Sequence, residues 1–380
     1  MCPPYRVGVC IRGSVRHRWT GMRTLLATAA LAWLGTGVAS AQVTPAAGST
    51  PPDDTPSIKL GATIFADYTF QQSPDVTDAA GNQVNLSAFQ IGRAYLNITG
   101  QVHHLLSFRI TPDIKQETGT GSALNGSYTF RLKYAFAQVN LDDWMTKGSW
   151  VRLGMQQTPY VDFNEGIYRY RFQGTIFPER EGYLSSSDAG AAFHTNFKSN
   201  RGDVHAGVYN GETYSKLETN NRKAFQVRGT LRPLPVSPAL RGLRVTAFYD
   251  ADAPVANGKR DRLLGEVTFE HRLVNAGFMY LDAKDKALPT ATEIDGRGYS
   301  LWVTPRTTKG WEGLVRYDHL EPNTTDASRK NRAIAGIAYW LPIRGASSAF
   351  LLDYEQVDYQ NFTPSKPREQ RIAVHCLVNF

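Results

Sequence analysis

The stretch Arg371-Ile372-Ala373-Val374-His375-Cys376-Leu377-Val378-Asn379-Phe380 has an apolar side chain at every second position: Ile372, Val374, Cys376, Val378 and Phe380. Between them stand Arg371, Ala373, His375 and Asn379, polar or small, with Leu377 the exception. In a strand, a period of two puts the two sets on opposite faces. The weight of this pattern depends on whether the rest of the chain supplies partner strands.

It does. Ile58, Leu60, Ala62, Ile64, Ala66, Tyr68 and Phe70 alternate with Lys59, Gly61, Thr63, Phe65, Asp67 and Thr69. Residues 105–115 repeat the pattern, with Leu106, Phe108, Ile110, Pro112 and Ile114 on one face and Ser107, Arg109, Thr111, Asp113 and Lys115 on the other. Further strands are expected at 89–99, 128–141, 149–157, 189–198, 203–210, 223–232, 242–250, 261–271, 273–282, 297–305, 310–319, 331–341, 348–359 and 369–380. The total is about 16. Short joins are expected at 100–102, 142–148, 199–202, 233–241, 306–309 and 344–347. Long polar ones are expected at 71–87, 116–127, 158–188, 211–222, 251–260, 283–296, 320–330 and 360–368. Short and long connections in strict alternation predict an all-β fold, a transmembrane antiparallel up-and-down barrel. A soluble sandwich does not sort its loops by length, and its strands usually run about five or six residues. The terminal Phe380 in such a strand resembles the closing strand of bacterial outer-membrane barrels.

Residues 1–41 are set apart from this fold. From Met22 a basic start at Arg23, an apolar run over 25–34 and the ending Ala39-Ser40-Ala41 read as a secretory signal, with 1–21 as an upstream mis-start or a long n-region, the first being favoured. The apolar run is too short for a bilayer, which needs about 20 residues. Residues 42–57 read as a flexible periplasmic lead-in, and 58–380 as the barrel. Removing 1–41 takes away five arginines and no acid, so the whole-chain charge of +8 falls to +3 and ceases to argue for nucleic acid. Cys2 and Cys10 leave as well, and Cys376 has no disulfide partner. An exported chain without disulfides needs another closure, which a hydrogen-bonded barrel provides.

The run Arg152-Leu153-Gly154-Met155-Gln156-Gln157-Thr158-Pro159-Tyr160 resembles the strand-and-loop entry of the phosphate-selective porin family. Leu132-Lys133-Tyr134-Ala135-Phe136, Phe177-Pro178-Glu179-Arg180, Asp188-Ala189-Gly190 and Tyr209-Asn210-Gly211-Glu212 follow the family's order, so the likeness covers about 89–212. The resemblance implies a 16-stranded homotrimeric porin of the Gram-negative outer membrane, set in lipid, with an inward-folded third loop and no cofactor. Its solutes would be small and hydrophilic, anions such as phosphate among them. Two positions depart from the family pattern: Gln157 and Ser187 stand where basic residues are frequent.

Function in such a barrel rests on the lumen and on any loop that narrows it. Strand parity turns Arg93, Arg109, Arg131, Lys133, Arg152, Arg228, Arg244, Arg316 and Arg332 inward, together with Asp67, Asp113, Glu266, Glu270 and Asp318. The long connection 158–188 interleaves aromatics with arginine (Tyr160, Phe163, Tyr168, Arg169, Tyr170, Arg171, Phe172), unlike an exposed loop tip. It is expected to pack on the interior wall as a constriction. The selectivity candidates are Arg93, Arg109, Arg131, Lys133, Arg152, Arg169, Arg171 and Arg180, and the expected preference is mildly anionic. Catalytic and metal residues are expected to be absent. Ser185-Ser186-Ser187-Asp188 near His194 supplies no defined nucleophile and base for the alternative, a barrel hydrolase. A structural barrel without channel activity is the other alternative. His103 and His104 adjoin a short join; as strand neighbours they would point to opposite faces and could not easily share a metal.

Overall fold

The computed structural model describes residues 54–119 and 121–380. The expected signal segment and most of the lead-in lie outside the described residues. Sixteen strands form a closed antiparallel barrel. They are β1 (Ser57–Ser73), β4 (Ser87–His103), β5 (Leu106–Gln116), β6 (Tyr128–Asn140), β7 (Trp150–Gln157), β8 (Ser187–Asn196), β9 (Gly202–Tyr209) and β10 (Ala224–Leu231), followed by β11 (Leu243–Asp252), β12 (Lys259–His271), β13 (Val274–Lys286), β14 (Ile294–Pro305), β15 (Trp311–Glu321), β16 (Arg329–Trp340), β17 (Ala349–Gln360) and β18 (Glu369–Asn379). The two-residue strands β2 (Val76–Thr77) and β3 (Gln83–Val84) form a separate hairpin in the first long connection. Each barrel strand pairs with its chain neighbours, and β1 pairs with β18 to close the ring.

The period of two sorts side chains as the sequence implies. Along β17, Ala349, Leu351, Asp353, Glu355 and Val357 are buried, while Phe350, Leu352 and Tyr354 between them are exposed on the outside. The outer surface is an apolar band that includes Leu263, Val267, Phe278, Leu301, Val315, Ile337 and Leu352. Tyr249, Tyr280, Tyr317 and Tyr354 rim it toward the long-connection end, and Trp311 packs on Tyr339 at the other. That is the apolar belt with aromatic girdles of a barrel surrounded by hydrocarbon. Cys376 lies on this face, opposite Phe350 and Ala66.

Strict alternation of short and long connections does not hold. At one end the joins are 104–105, 141–149, 197–201, 232–242, 272–273, 306–310 and 341–348; at the other, 74–86, 117–127, 158–186, 210–223, 253–258, 287–293, 322–328 and 361–368. The 232–242 join is longer than 253–258. Strands continue past the apolar band into polar residues such as Lys259-Arg260-Asp261, where backbone pairing persists after the hydrophobic period stops. The join expected at 100–102 lies inside β4, and the turn is at His104 and Leu105.

Irregular pairing matters for the interior. A bulge between Thr111 and Pro112 sets Lys133 opposite no residue, so Lys133 and Tyr134 are both buried although adjacent. Upstream of it Thr129 and Arg131 take the odd inward positions; downstream Phe136, Gln138 and Asn140 take the even ones.

Candidate functional site

The 158–186 connection returns into the barrel. Pro159 and Tyr160 lead into helix α1 (Val161–Tyr168), which stops at Arg169 in the left-handed region, φ 67°. A single turn, α2 (Phe177–Arg180), begins with Pro178 in its first turn, where a missing N–H costs nothing. Tyr160, Val161, Ile167, Tyr168, Tyr170, Phe172, Ile176 and Phe177 are all buried. They meet an apolar stripe on the inner wall: the Tyr160 ring packs 5.4 Å from Phe248, Tyr168 5.3 Å from Trp302, and Tyr170 and Phe172 each 6.0 Å from Trp340. Fully burying a side chain of this size is worth roughly 1.5–3 kcal/mol. Polar bonds fix the path. Arg228 Nε donates to the Pro159 carbonyl (2.7 Å), Asn164 to Glu266, Asn275 to the Ile167 carbonyl (3.1 Å), Tyr170 to Glu312 (3.1 Å) and Arg316 to the Thr175 carbonyl (2.9 Å). Lys330 reaches Glu181 (2.7 Å). The segment thus follows the wall from β10 to β17, is tied to β6 where Tyr134 donates to Asp162 (2.9 Å), and faces the rest of the β1–β6 wall.

Between that wall and the segment lies a cavity of ≈ 290 Å³. Arg109 and Lys133 line it from the wall and Arg169 and Arg171 from the segment, with the carboxylates of Asp162 and Glu165. Arg109 donates to Asn97 (2.9 Å) and Thr111 (3.0 Å) and lies 4.5 Å over the Tyr134 ring. Lys133 sits over Tyr95 at 4.8 Å and Tyr134 at 5.3 Å. Arg171 pairs with Glu165 (2.7 Å), and Arg169 with Glu312 (3.4 Å) while stacking 4.2 Å over Trp340. Ser347 and Asn379 at the rim place this cavity toward the short-connection end.

A second cavity of ≈ 260 Å³ lies toward the other end, lined by Gln71, Arg180, Arg332, Glu355 and Arg371 among others. From Thr63 at the first to Gln71 at the second is about 27 Å along β1 at ~3.4 Å per residue. The segment's 171–180 stretch connects the two levels, since Arg171 lines the first cavity and Arg180 the second.

The remaining candidates sit elsewhere. Arg93 (2.5 Å) and Arg131 (2.8 Å) share Asp113, and Arg131 also donates to Tyr214 (2.7 Å). Arg152 is packed between Phe136 and Trp150, donates to Gln138 (2.7 Å) and Gln157 (3.0 Å), and lines neither cavity. Gly154 beside it has φ +124°, and a Cβ there would meet the Ala135 carbonyl at 2.4 Å, so only glycine fits. Arg244 pairs with Glu270 (2.6 Å), Arg316 with Asp318 (2.7 Å) and Arg228 with Asp203. Sequence parity did not single out Glu312, Glu355 or Arg371; the inward positions on β15, β17 and β18 were the available signal. His194 bonds the Gly148 carbonyl (2.9 Å) and Asp203 (3.3 Å), while Ser187 Oγ donates to the Lys133 carbonyl (2.5 Å), so the serine run and His194 are separately engaged.

Comparison of the whole fold returns porins. The anion-selective porin from Comamonas acidovorans superposes with a TM-score of 0.58 at 13% identity, over 86% of this chain and 100% of that one. OmpF of Salmonella typhi gives 0.57 at 11%, covering 86% and 98%, and the outer-membrane channel DcaP of Acinetobacter baumannii 0.54 at 9%, covering 88% and 99%. The likeness is one of fold. No family model matches the sequence, and no curated protein matches it.

Proposed function

We propose that this chain is an outer-membrane porin, a passive channel for small hydrophilic solutes with a mild preference for anions, assembling as a homotrimer. The observation that carries the reading is the first cavity: four cationic side chains, Arg109, Lys133, Arg169 and Arg171, converge on it against two carboxylates, Asp162 and Glu165. A low-dielectric wall strengthens that excess of positive charge, so an anion entering between wall and segment is favoured over a cation. Residues 158–186 then act as the constriction. A phosphate-specific site is less well supported, because Gln157 and Ser187 are neutral, buried and already hydrogen-bonded. The solved neighbours support the channel reading through their architecture, and one of them bears the description anion-selective.

The test is single-channel recording of detergent-purified protein in a planar bilayer under a KCl gradient. Discrete steps with an anionic reversal potential are expected. A cationic or zero reversal potential would overturn the anion preference, and folded protein that gives no steps would overturn the channel. Phosphate that blocks chloride current at low concentration would restore a specific site.

A further inference from the structure

His104 is in the turn after β4, not in a strand, so its ring is not held on the face opposite His103. The two imidazoles lie 4.3 Å apart at 37°, on the same side. Asp54 reaches both from the start of the described chain: its Oδ1 lies 3.2 Å from His103 Nε2 and is hydrogen-bonded to His104 Nδ1. One ligand atom from each of the three residues falls within 4.8 Å of the others. The expectation that the two rings point to opposite faces is therefore not met, because the turn expected at 100–102 falls at 104–105.

We propose that Asp54, His103 and His104 form a binding site for a borderline divalent cation of the zinc class at the short-connection rim. Three N/O donors on one face of a tetrahedron, with the fourth position open to water, suit Zn²⁺, whose bonds to such ligands are about 2.0–2.2 Å. The outer shell is an independent observation. His104 Nε2 hydrogen-bonds Asp143 Oδ2 at 3.0 Å, which leaves Nδ1 as the ligating nitrogen and orients the ring toward Asp54. Asp54 is itself oriented by the His104 backbone N–H (3.2 Å). Metal ligation needs an unprotonated Nδ1 on His104, so its hydrogen bond to Asp54 is exchanged for the cation and affinity rises with pH. The Leu105 N–H, which donates to His103 Nδ1 at 3.3 Å, gives way when that nitrogen carries the proton of a metal-bound ring. Two imidazoles side by side repel when both are protonated; a shared dication removes that repulsion. The cation would fasten the start of the barrel to its first turn, with Asp143 of the 141–149 join as support.

The test uses untagged full-length protein, folded in detergent and stripped with EDTA, titrated with CoCl₂ and then ZnCl₂. Expected are a visible absorption band of tetrahedral cobalt, one equivalent per chain, and its loss on adding zinc. His103→Ala and His104→Ala should each weaken binding at least tenfold. Asp143→Asn, which removes no ligand, should weaken it roughly 10–100-fold with unchanged stoichiometry. Heat-modified gel mobility and unchanged channel conductance show that each variant is folded. Absence of the band in folded wild-type protein, or equal binding in the His103→Ala/His104→Ala double variant, would overturn the proposal.

Discussion

Arg180 of the inward segment lies 3.5 Å from Glu355 on β17, and that one carboxylate also accepts from Arg371 (2.7 Å) and Arg332. Three guanidiniums converge on this carboxylate at the long-connection cavity, and Arg332 also has Glu181 (3.3 Å) as a second partner on the segment. Glu355→Gln should therefore shift the reversal potential further toward anions. It should also lower thermal stability, since removing one partner from a buried ion cluster costs roughly 3–5 kcal/mol. Bilayer recordings and the temperature of heat-modified gel mobility read the two effects separately.

Phe177 packs on a wall position that has no side chain. A Cβ at Gly298 would lie 2.6 Å from Phe177 Cζ and 2.5 Å from the His319 carbonyl. Gly298→Val should lift α2 from β14, loosen the Lys330–Glu181 contact and alter single-channel conductance, with new protease sensitivity in 170–186. Gly229→Ala is the control, because a Cβ there meets nothing within 4 Å. Equal behaviour of the two variants would separate conductance from the seat of α2.

Charge that is already neutralised locally should matter less than charge that faces the cavity without a carboxylate partner. Arg171→Gln combined with Glu165→Gln removes a 2.7 Å pair and leaves the net charge unchanged. Lys133→Gln removes a cation held over two tyrosine rings. The double variant should keep the wild-type reversal potential within a few millivolts, whereas Lys133→Gln should reduce anion preference. Arg169→Gln with Arg171→Gln, which removes both segment cations that line the first cavity and leaves Glu165 without its pair, should reduce it further.

Asp78 organises the tip of the β2–β3 hairpin. Its carboxylate accepts from the Asn82 side chain (3.1 Å) and from the backbone N–H of Asn82 (2.8 Å) and Ala80 (2.9 Å), which hold its pKa below the ordinary 3.8. A depressed carboxylate pKa stabilises the folded turn above the unfolded value and loses that contribution as pH falls through the folded one. Protection of the Ala80 and Asn82 amides from exchange, corrected for intrinsic rate, should stay constant down to about pH 4 and collapse below it. Asp78→Asn should abolish the pH dependence; a collapse starting near pH 5 would show that Asp78 is not its source.

Much of this fold was legible because a barrel writes its two faces into alternate residues. The series at 58–70 and at 371–380 each place their strand, and the sixteen expected strands match sixteen observed ones with ends moved by a few residues. Strand ends were less legible, since backbone pairing runs on into polar residues such as Lys284 and Lys286. At the candidate site the wall cations stood out by parity and those of the segment by its interleaving of aromatics with arginine, but their partners did not. Arg169 meets Glu312 and Arg180 meets Glu355 across well over a hundred positions of sequence, and nothing local signals either pairing. The bulge that turns Lys133 and Tyr134 inward together breaks the parity rule itself. The orientation of His103 and His104 was misjudged for a related reason: the turn expected at 100–102 falls at 104–105, which lets the two rings lie side by side.

The seam between β1 and β18 has a consequence for how the molecule forms. Thr63 donates to Asn379 across 316 positions of sequence, and the Ala62 and Phe380 backbones exchange two hydrogen bonds of 3.1 Å. Every other strand pairing of the barrel joins strands successive along the chain, so hairpins can assemble as the chain becomes available. The seam alone must wait for all of them, and until it zips, two unpaired edges remain open to any other strand. Loop-closure entropy makes that last step slow. Variants that weaken the seam should therefore act chiefly on assembly rate and on edge-to-edge aggregation during biogenesis, and only weakly on solute passage once the ring is closed.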